Sequence, residues 1–431
     1  MAVATEFAYT GYDLDLVAGE VTFHYESDEQ TFSPTLTLDQ LPEVPPAQLW
    51  AAVFTLGLVE LPHFWKATRA PTIVIAVHEI TEEQRAFWEH TWKHALGEFF
   101  YRNDLDPDES LRVVVRSDAP QPAPASHPLH SEALVPFGGG KDSFVVGERL
   151  RARDIPFTWF VLRRGFAVEE GYPASGVPRA LTMERSVERY FAEVIALHEA
   201  GAPNGHVSVT ATYMASAALV ALAHGFRDVV LSVERSASEG NTLLRTLEVN
   251  HQYTKSFAFE RAFAEYLARW VHPELRLFSL LRDRWEIQIV EEVSHYPHLL
   301  EAFVSCNRGL REGRWCGTCA KCAFVFLMLS AFLPLERVRE LIGHDVYHDR
   351  SLTPLIKSLI GQGEMKPFEC VGTFDENTLA LFLAGERFRA DHPGESLPPV
   401  LAEVDAGRGA RLTYLVTDET DEHRIPPEYQ T

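Results

Sequence analysis

The sequence predicts an α/β fold: a parallel sheet with helices on both faces, preceded by an α+β N-terminal domain and followed by a small C-terminal region. Three observations lead there. Between residues 129 and 335, apolar runs of strand length alternate with segments of helical pattern. The first of those runs opens through Gly138-Gly139-Gly140-Lys141-Asp142-Ser143 directly onto a helical segment. A chain of 431 residues that is 46% hydrophobic can build two or three cores.

The elements follow in order. Val21 to Tyr25 and Thr35 to Leu38 alternate and read as strands. A helix is expected from Pro46 to Leu61, a strand at Thr72 to Val77, a helix from Glu82 to Phe100 and a last strand at Leu111 to Val115. The run Ala119-Pro120-Gln121-Pro122-Ala123-Pro124-Ala125 is too stiff for a sheet or helix interior and reads as a linker, so the first domain is 1–128. In 129–335, strands are expected at 133–137, 157–162, 207–210 and 229–231. Helices are expected at 143–153, from Pro178 to His198 and from Met214 to His224. Parallel strands covered on both faces bind ligands at their carboxyl ends, which puts Gly138–Ser143, Arg163–Arg164 and the segment after Leu231 at one mouth. Residues 336–431 are mixed.

Composition narrows the partners. A net charge of −22 disfavours nucleic acid, because phosphate backbones are repelled. The longest apolar run, Ala323 to Leu333, is too short to cross a bilayer. No pattern of charged residues followed by an apolar core occupies Met1 to Tyr9, and the five cysteines do not form a secreted disulfide pattern. A cytoplasmic protein acting on a small molecule is expected; oligomeric state is not readable. The basic group Arg151, Arg153, Arg163 and Arg164 reads as a site for ATP or an anionic substrate.

The glycine loop has the chemistry of a phosphate cradle. Consecutive glycines expose backbone N–H groups, and a helix N-terminus adds positive partial charge. It is not the Gly-x4-Gly-Lys-Ser/Thr loop, since Val135 stands where the first glycine should be, and Ser143 breaks the dinucleotide pattern. It resembles the PP-loop of ATP pyrophosphatases, Ser-Gly-Gly-x-Asp-Ser. Gly139, Gly140, Asp142 and Ser143 match, and Gly138 replaces the serine. The resemblance implies ATP cleaved at the α-phosphate, with Gly138, Gly139, Gly140, Lys141 and Ser143 around the phosphates and Asp142 on Mg²⁺. The change at Gly138 also fits a loop that binds nucleotide without turnover.

Cys306, Cys316, Cys319 and Cys322 form C-x9-C-x2-C-x2-C, a spacing suited to structural Zn²⁺, with an iron–sulfur cluster as the alternative. Two polar segments lie downstream of the loop. Ser232 to Asn241 includes Glu234, Arg235, Ser236 and Asn241; Asn250 to Ser256 includes His251, Gln252, Tyr253 and Lys255. Cys370, between apolar neighbours, is either a core filler or an acid/base of tunable pKa.

The loop and tetrad together resemble cyanodeazaguanine synthase, a much shorter enzyme. Over about 240 residues the chain resembles the MurL family of UDP-N-acetylmuramoyl-L-alanyl-L-glutamate epimerases. That likeness is carried by Pro136–Ser143, Glu234-Arg235-Ser236-Ala237-Ser238, Asn250-His251-Gln252-Tyr253, Trp315–Cys322 and Pro367–Gly372. It implies ATP- and Mg²⁺-dependent inversion of the terminal L-Glu of UDP-MurNAc-L-Ala-L-Glu through an acyl-adenylate. In that scheme His251, Cys370 and Glu234 are the acid/base residues. Arg235 would bind a carboxylate or the α-phosphate, and Arg163, Arg164, Ser236, Asn241, Asn250, Gln252, Tyr253 and Lys255 would contact substrate.

Overall fold

The computed structural model describes residues 4–430 apart from 40, 43, 177 and 178. Its strands are β1 (Glu6–Asp15), β2 (Glu20–Ser27), β3 (Thr31–Phe32), β4 (Thr35–Leu38), β5 (Thr72–Ile75), β6 (Arg112–Val115), β7 (His130–Pro136), β8 (Phe157–Arg163), β9 (Ala180–Glu184), β10 (Phe226–Leu231), β11 (Thr242–Leu244), β12 (Leu247–Val249) and β13 (Arg276–Ser279). Except for the hairpin β11–β12, they form one sheet in the order β13-β10-β7-β8-β9-β4-β2-β1-β5-β6, with β3 beside β2.

The two halves of this sheet differ for a physical reason. In β1 and β2 burial alternates, with Val21, Phe23 and Tyr25 inward, as expected where one face is packed and the other partly wet. In β8, Thr158 through Leu162 are all buried, because helices cover both faces. The strands β9-β8-β7-β10-β13 are all parallel. In chain order that is 3-2-1-4-5, so the order reverses between β7 and β10, and the crevice of such a sheet opens there.

The predicted boundary at 128 does not divide the sheet. Strand β4 pairs antiparallel with β9, Leu38 opposite Met183, and one apolar core runs from Phe7 and Phe23 through helix Trp50–Trp65 to Leu219 and Leu277. A buried ion pair, Arg185 to Glu60 at 2.6 Å, fastens the same seam. The opposite face carries a second core, in which helix Lys141–Ala152 meets helices Glu286–Ser294, Ala320–Ser330 and Phe374–Asp391.

Three expected elements are corrected. The helix expected from Pro178 to His198 is instead β9 followed by the short helices Val187–Tyr190 and Ala192–Glu199; Val177 and Pro178 lie outside the described residues. Ala180–Glu184 is claimed by the sheet from both sides, parallel to β8 and antiparallel to β4. The strand expected at 207–210 is the approach to helix Thr210–His224. That helix has no side-chain cap of its own, and Thr254 supplies one from afar: its Oγ1 accepts from Ala211 N at 3.3 Å and meets Ser208 Oγ at 2.5 Å. The expected helix 82–100 is two helices, Glu82–Ala95 and Gly97–Arg102. No described helix is long and apolar enough to cross a membrane.

Behind the crevice, the Arg282 guanidinium is fully buried. It donates to Glu260 Oε2 at 2.7 and 2.9 Å, to the Glu234 carbonyl at 2.7 Å and to the Lys255 carbonyl at 2.8 Å. Arg282→Ala leaves a buried carboxylate and two carbonyls without their donor. It is expected to lower stability by about 3–5 kcal/mol, read as a lower urea midpoint at unchanged slope. A midpoint equal to that of the parent protein would remove Arg282 from this structural role.

Candidate active site

The glycine loop leaves β7 and ends as the N-terminus of helix Lys141–Ala152. Gly139 has φ +77°, and a Cβ there would stand 2.6 Å from the Val168 carbonyl oxygen, so conformation and space both demand glycine. A Cβ on Gly138 would meet nothing within 4 Å. The loop therefore keeps open space over the helix N-terminus, as a phosphate cradle requires. Ser143 turns its hydroxyl back to donate to the Gly140 carbonyl at 2.9 Å.

Lys141 is buried beneath the loop, donating to Asp142 Oδ1 at 2.5 Å and Glu286 Oε1 at 2.8 Å. Carboxylate oxygens of Asp142, Glu234 and Glu286 lie within 4.8 Å of one another. Asp142 follows β7, Glu234 follows β10 and Glu286 opens the helix after β13, so the cluster sits at the switch point of the sheet. Burial, then the Glu286 charge, push Glu234 up to about 7 against the pull of Lys255. Burial also opposes ionisation of Glu286, but Lys141 and Lys321 outweigh it and hold it below the usual carboxylate range. Glu286 Oε2 is buried without a hydrogen-bond partner. Three converging carboxylates with an unsatisfied buried oxygen have the donor set of a hard divalent cation.

A second group continues from the first. Lys255 Nζ lies 3.6 Å from Cys370 Sγ, and His251 interacts with both Cys370 and Glu98. Burial pushes the Cys370 thiol up, but the Lys255 ammonium and then His251 outweigh it and bring it down to about 6. Burial disfavours charge on His251, but Cys370 and Glu98 raise it to about 9. Near neutral pH this pair is therefore a thiolate beside an imidazolium.

The four tetrad sulfurs also lie within 4.8 Å of one another, with separations of 3.5 Å (Cys319–Cys322), 3.7 Å (Cys316–Cys322) and 4.0 Å (Cys306–Cys319). Tetrahedral Zn²⁺ at about 2.3 Å from each sulfur sets edges of about 3.8 Å. Backbone N–H groups of Gly309 and Cys316 donate to Cys306, as thiolate ligands require. The tetrad opens helix Ala320–Ser330, whose first turn carries Lys321, 3.8 Å from Glu286.

Of the expected site residues, the fold brings Asp142, Glu234, His251, Lys255 and Cys370 together with the loop. It gives others different work. Arg164 is paired with Glu169 at 2.8 Å, and Arg163 Nε is 4.0 Å from Glu170. Arg151 and Arg153 lie at the far end of helix Lys141–Ala152, about 15 Å along its axis from the loop. The four arginines thus do not form one anion site. Arg235 stacks on Trp285 at 4.2 Å and donates to Asp418 at 2.9 Å. It is a clasp for the C-terminal segment rather than a member of the carboxylate cluster.

The amides and hydroxyls are scaffold. Ser236 Oγ donates to Glu376 and accepts from Glu286 N. Asn241 holds the Pro367 carbonyl and the His251 N–H, and Asn250 holds the Ala237 carbonyl and the Gln252 N–H. Tyr253 packs on His94 at 4.8 Å. Gln252 is buried, with its Oε1 unpartnered. Sequence reasoning missed Glu98, His206, Glu286 and Lys321. Lys321 had a signal, lying between two tetrad cysteines; the other three sit in unremarkable helical or loop sequence.

Fold and site together define an α/β protein with an open glycine loop at a helix N-terminus, a carboxylate cluster and a half-buried thiol–imidazole pair at one switch point. The chain belongs to the MurL family: residues 1–280 match the MurL N-terminal domain and residues 302–398 the MurL C-terminal domain. It is 37% identical over 347 residues to the UDP-N-acetyl-alpha-D-muramoyl-L-alanyl-L-glutamate epimerase of Xanthomonas oryzae pv. oryzae, covering 78% of this chain and 75% of that protein. It is 33% identical to proteins of the same name from Micromonospora sp., over 98% of this chain and 96% of the relative, and from Salinispora tropica, over 93% and 88%. No solved structure matches. The family's division falls between 280 and 302, so the loop, Glu234 and His251 come from one unit and Lys321 and Cys370 from the other.

Gly139→Ala is expected to cost about 1–3 kcal/mol through backbone strain and the Val168 clash. Gly138→Ser is expected to leave the melting temperature unchanged within about 2 °C. Equal melting temperatures for both variants would contradict this account of the loop.

Proposed function

We propose that the chain inverts the terminal L-Glu of UDP-MurNAc-L-Ala-L-Glu to D-Glu, using ATP and Mg²⁺ and releasing AMP and pyrophosphate. The printed activity of the relatives supports the substrate. The observation that carries the chemistry is a half-buried thiol, Cys370, set beside Lys255 and His251, whose charges favour its thiolate, in the same network as the carboxylates below the glycine loop.

A free α-carboxylate resists loss of the neighbouring Cα proton, because a second negative charge would build beside the first. Attack of that carboxylate on the α-phosphorus expels pyrophosphate and yields an acyl-adenylate, in which the carboxyl group itself is uncharged and electron-withdrawing. The Cys370 thiolate takes the Cα proton, the electron pair delocalises into the acyl group, a proton from water on the opposite face inverts the centre, and the thiol returns its proton to the hydroxide left behind. Water then cleaves the acyl–phosphate bond, freeing the D-Glu carboxylate and AMP. Gly138–Gly140 and the helix N-terminus would hold the β- and γ-phosphates. Asp142, Glu234 and Glu286 would hold Mg²⁺, which supplies charge neutralisation for the leaving pyrophosphate. Lys141 and Lys321 keep Glu286 ionised. The cysteine tetrad would hold one structural Zn²⁺ per chain, fixing Lys321 at the start of its helix. The acidic chain and this small-molecule chemistry suit a cytoplasmic enzyme of peptidoglycan precursor synthesis.

In D₂O the complete mixture is expected to place deuterium at the glutamate Cα and to form AMP. Cys370→Ser is expected to slow Cα deuteration by about 10²–10⁴-fold while substrate-dependent pyrophosphate–ATP exchange continues. Deuteration at the parent rate would sink the assignment of the base. The rate of Cα exchange should rise as pH passes about 6, where Cys370 deprotonates, and fall as it passes about 9, where His251 loses its proton. A flat profile between pH 5 and 10 would contradict the thiolate–imidazolium pair.

A further inference from the structure

His251 is not held by its own segment alone. Glu98, from helix Gly97–Arg102 in the N-terminal part of the sheet protein, is 5% exposed and binds His251 Nδ1 through Oε2. Its other oxygen accepts from Arg102 Nε at 2.5 Å. The His206 ring stacks on His251, centroids 4.0 Å apart and planes 25° apart, so the imidazole cannot tilt away from that line. The His251 backbone N–H is fixed by Asn241 Oδ1 at 2.8 Å. With Nδ1 taken by Glu98, the ring has Nε2 for the thiolate.

Resting on the reading of Cys370 as the base, we propose that Glu98 is a positioning residue for the epimerisation. It forms a carboxylate–imidazole–thiol relay, Glu98–His251–Cys370, that fixes the tautomer and orientation of His251 and keeps it protonated beside the thiolate. The N-terminal part of the chain thereby takes a role in the chemistry, through a residue that touches neither substrate nor nucleotide. The charged groups facing the relay agree with it. Glu98 and His206 face His251 from the N-terminal side. Glu369 and Cys370 face it from the loop before helix Phe374–Asp391, and Lys255 and Lys321 act on Cys370. Burial, then His251, hold His206 down at about 3, so it contributes a neutral ring and no competing charge. Glu98 itself is held below the usual carboxylate range, because His251 and Arg102 outweigh its burial. An ionised partner stabilises imidazolium more than imidazole, so removing its charge moves the alkaline limit of the reaction downward.

The test compares pH profiles of Cα deuterium exchange for the parent protein, Glu98→Gln, Glu98→Asp and Cys370→Ser, with substrate-dependent pyrophosphate–ATP exchange measured in each. Glu98→Gln is expected to lower kcat for Cα exchange at least about 10-fold at pH 8, with KM within about twofold. It should move the alkaline limb down by about one pH unit or more and leave pyrophosphate–ATP exchange intact. Glu98→Asp, which keeps the charge, is expected to restore the limb. An unmoved alkaline limb in Glu98→Gln, or equal loss of both partial reactions in Glu98→Gln and Glu98→Asp, overturns the relay. Retained Cα exchange in Cys370→Ser instead overturns the underlying base assignment, so the two failures are distinct.

Discussion

The candidate site depends on one buried guanidinium. Arg282 follows β13 and reaches back to the carbonyls of Glu234 and Lys255, while Glu260 neutralises it. A guanidinium presents a planar fork of donors, so it can hold two backbone segments and a carboxylate in one fixed arrangement, which an ammonium cannot. Glu260 also accepts from Ser279 N, and Ser279 Oγ donates to the Val233 carbonyl at 2.6 Å. The ends of β10 and β13 and the segment before helix Phe257–Trp270 are thereby locked together. Glu234 belongs to the carboxylate cluster and Lys255 touches Cys370, so both halves of the site inherit their positions from the same cation.

Charge is the second constraint. The protein carries a net charge of −22, yet its site gathers cations. Only seven of the 39 basic residues are lysines, and three of those seven, Lys141, Lys255 and Lys321, lie in the site. Lys141 and Lys255 are compact point charges set among anions in places where burial alone would drive them neutral. Lys141 holds Asp142 and Glu286 in one corner; Lys255 favours ionisation of the half-buried Cys370 thiol. Two arginines of the same region are spent on structure, Arg164 against Glu169 and Arg235 against Asp418.

The readable parts of the sequence were those with local physics. The glycine loop was legible because φ +77° at Gly139 and a helix N-terminus are properties of consecutive residues. The tetrad was legible because chelate spacing is local. Elements failed where distant partners decided. Ala180–Glu184 looked helical until β4 and β8 claimed it, and 207–210 looked extended until Thr254 capped the helix that begins there. The polar segments 232–241 and 250–256 follow β10 and the hairpin β11–β12. Most of their members proved to be hydrogen-bonded framework, because a buried turn must satisfy its own carbonyls and N–H groups before it can offer anything to a ligand.

By itself the sequence determined the βα alternation, the glycine loop, the sulfur tetrad and the family likeness, all of which rest on spacing along the chain. Only the tertiary structure decided that Glu98, His251 and Cys370 meet, across 153 residues in one direction and through Lys255 across 115 in the other. It alone joined the N-terminal strands to the parallel sheet through β4 and β9. The physical reason is the same in each case. Conformation and chelation are set within a few residues, whereas ionisation and catalytic geometry come from burial and from charges that only the folded core brings within a few ångströms.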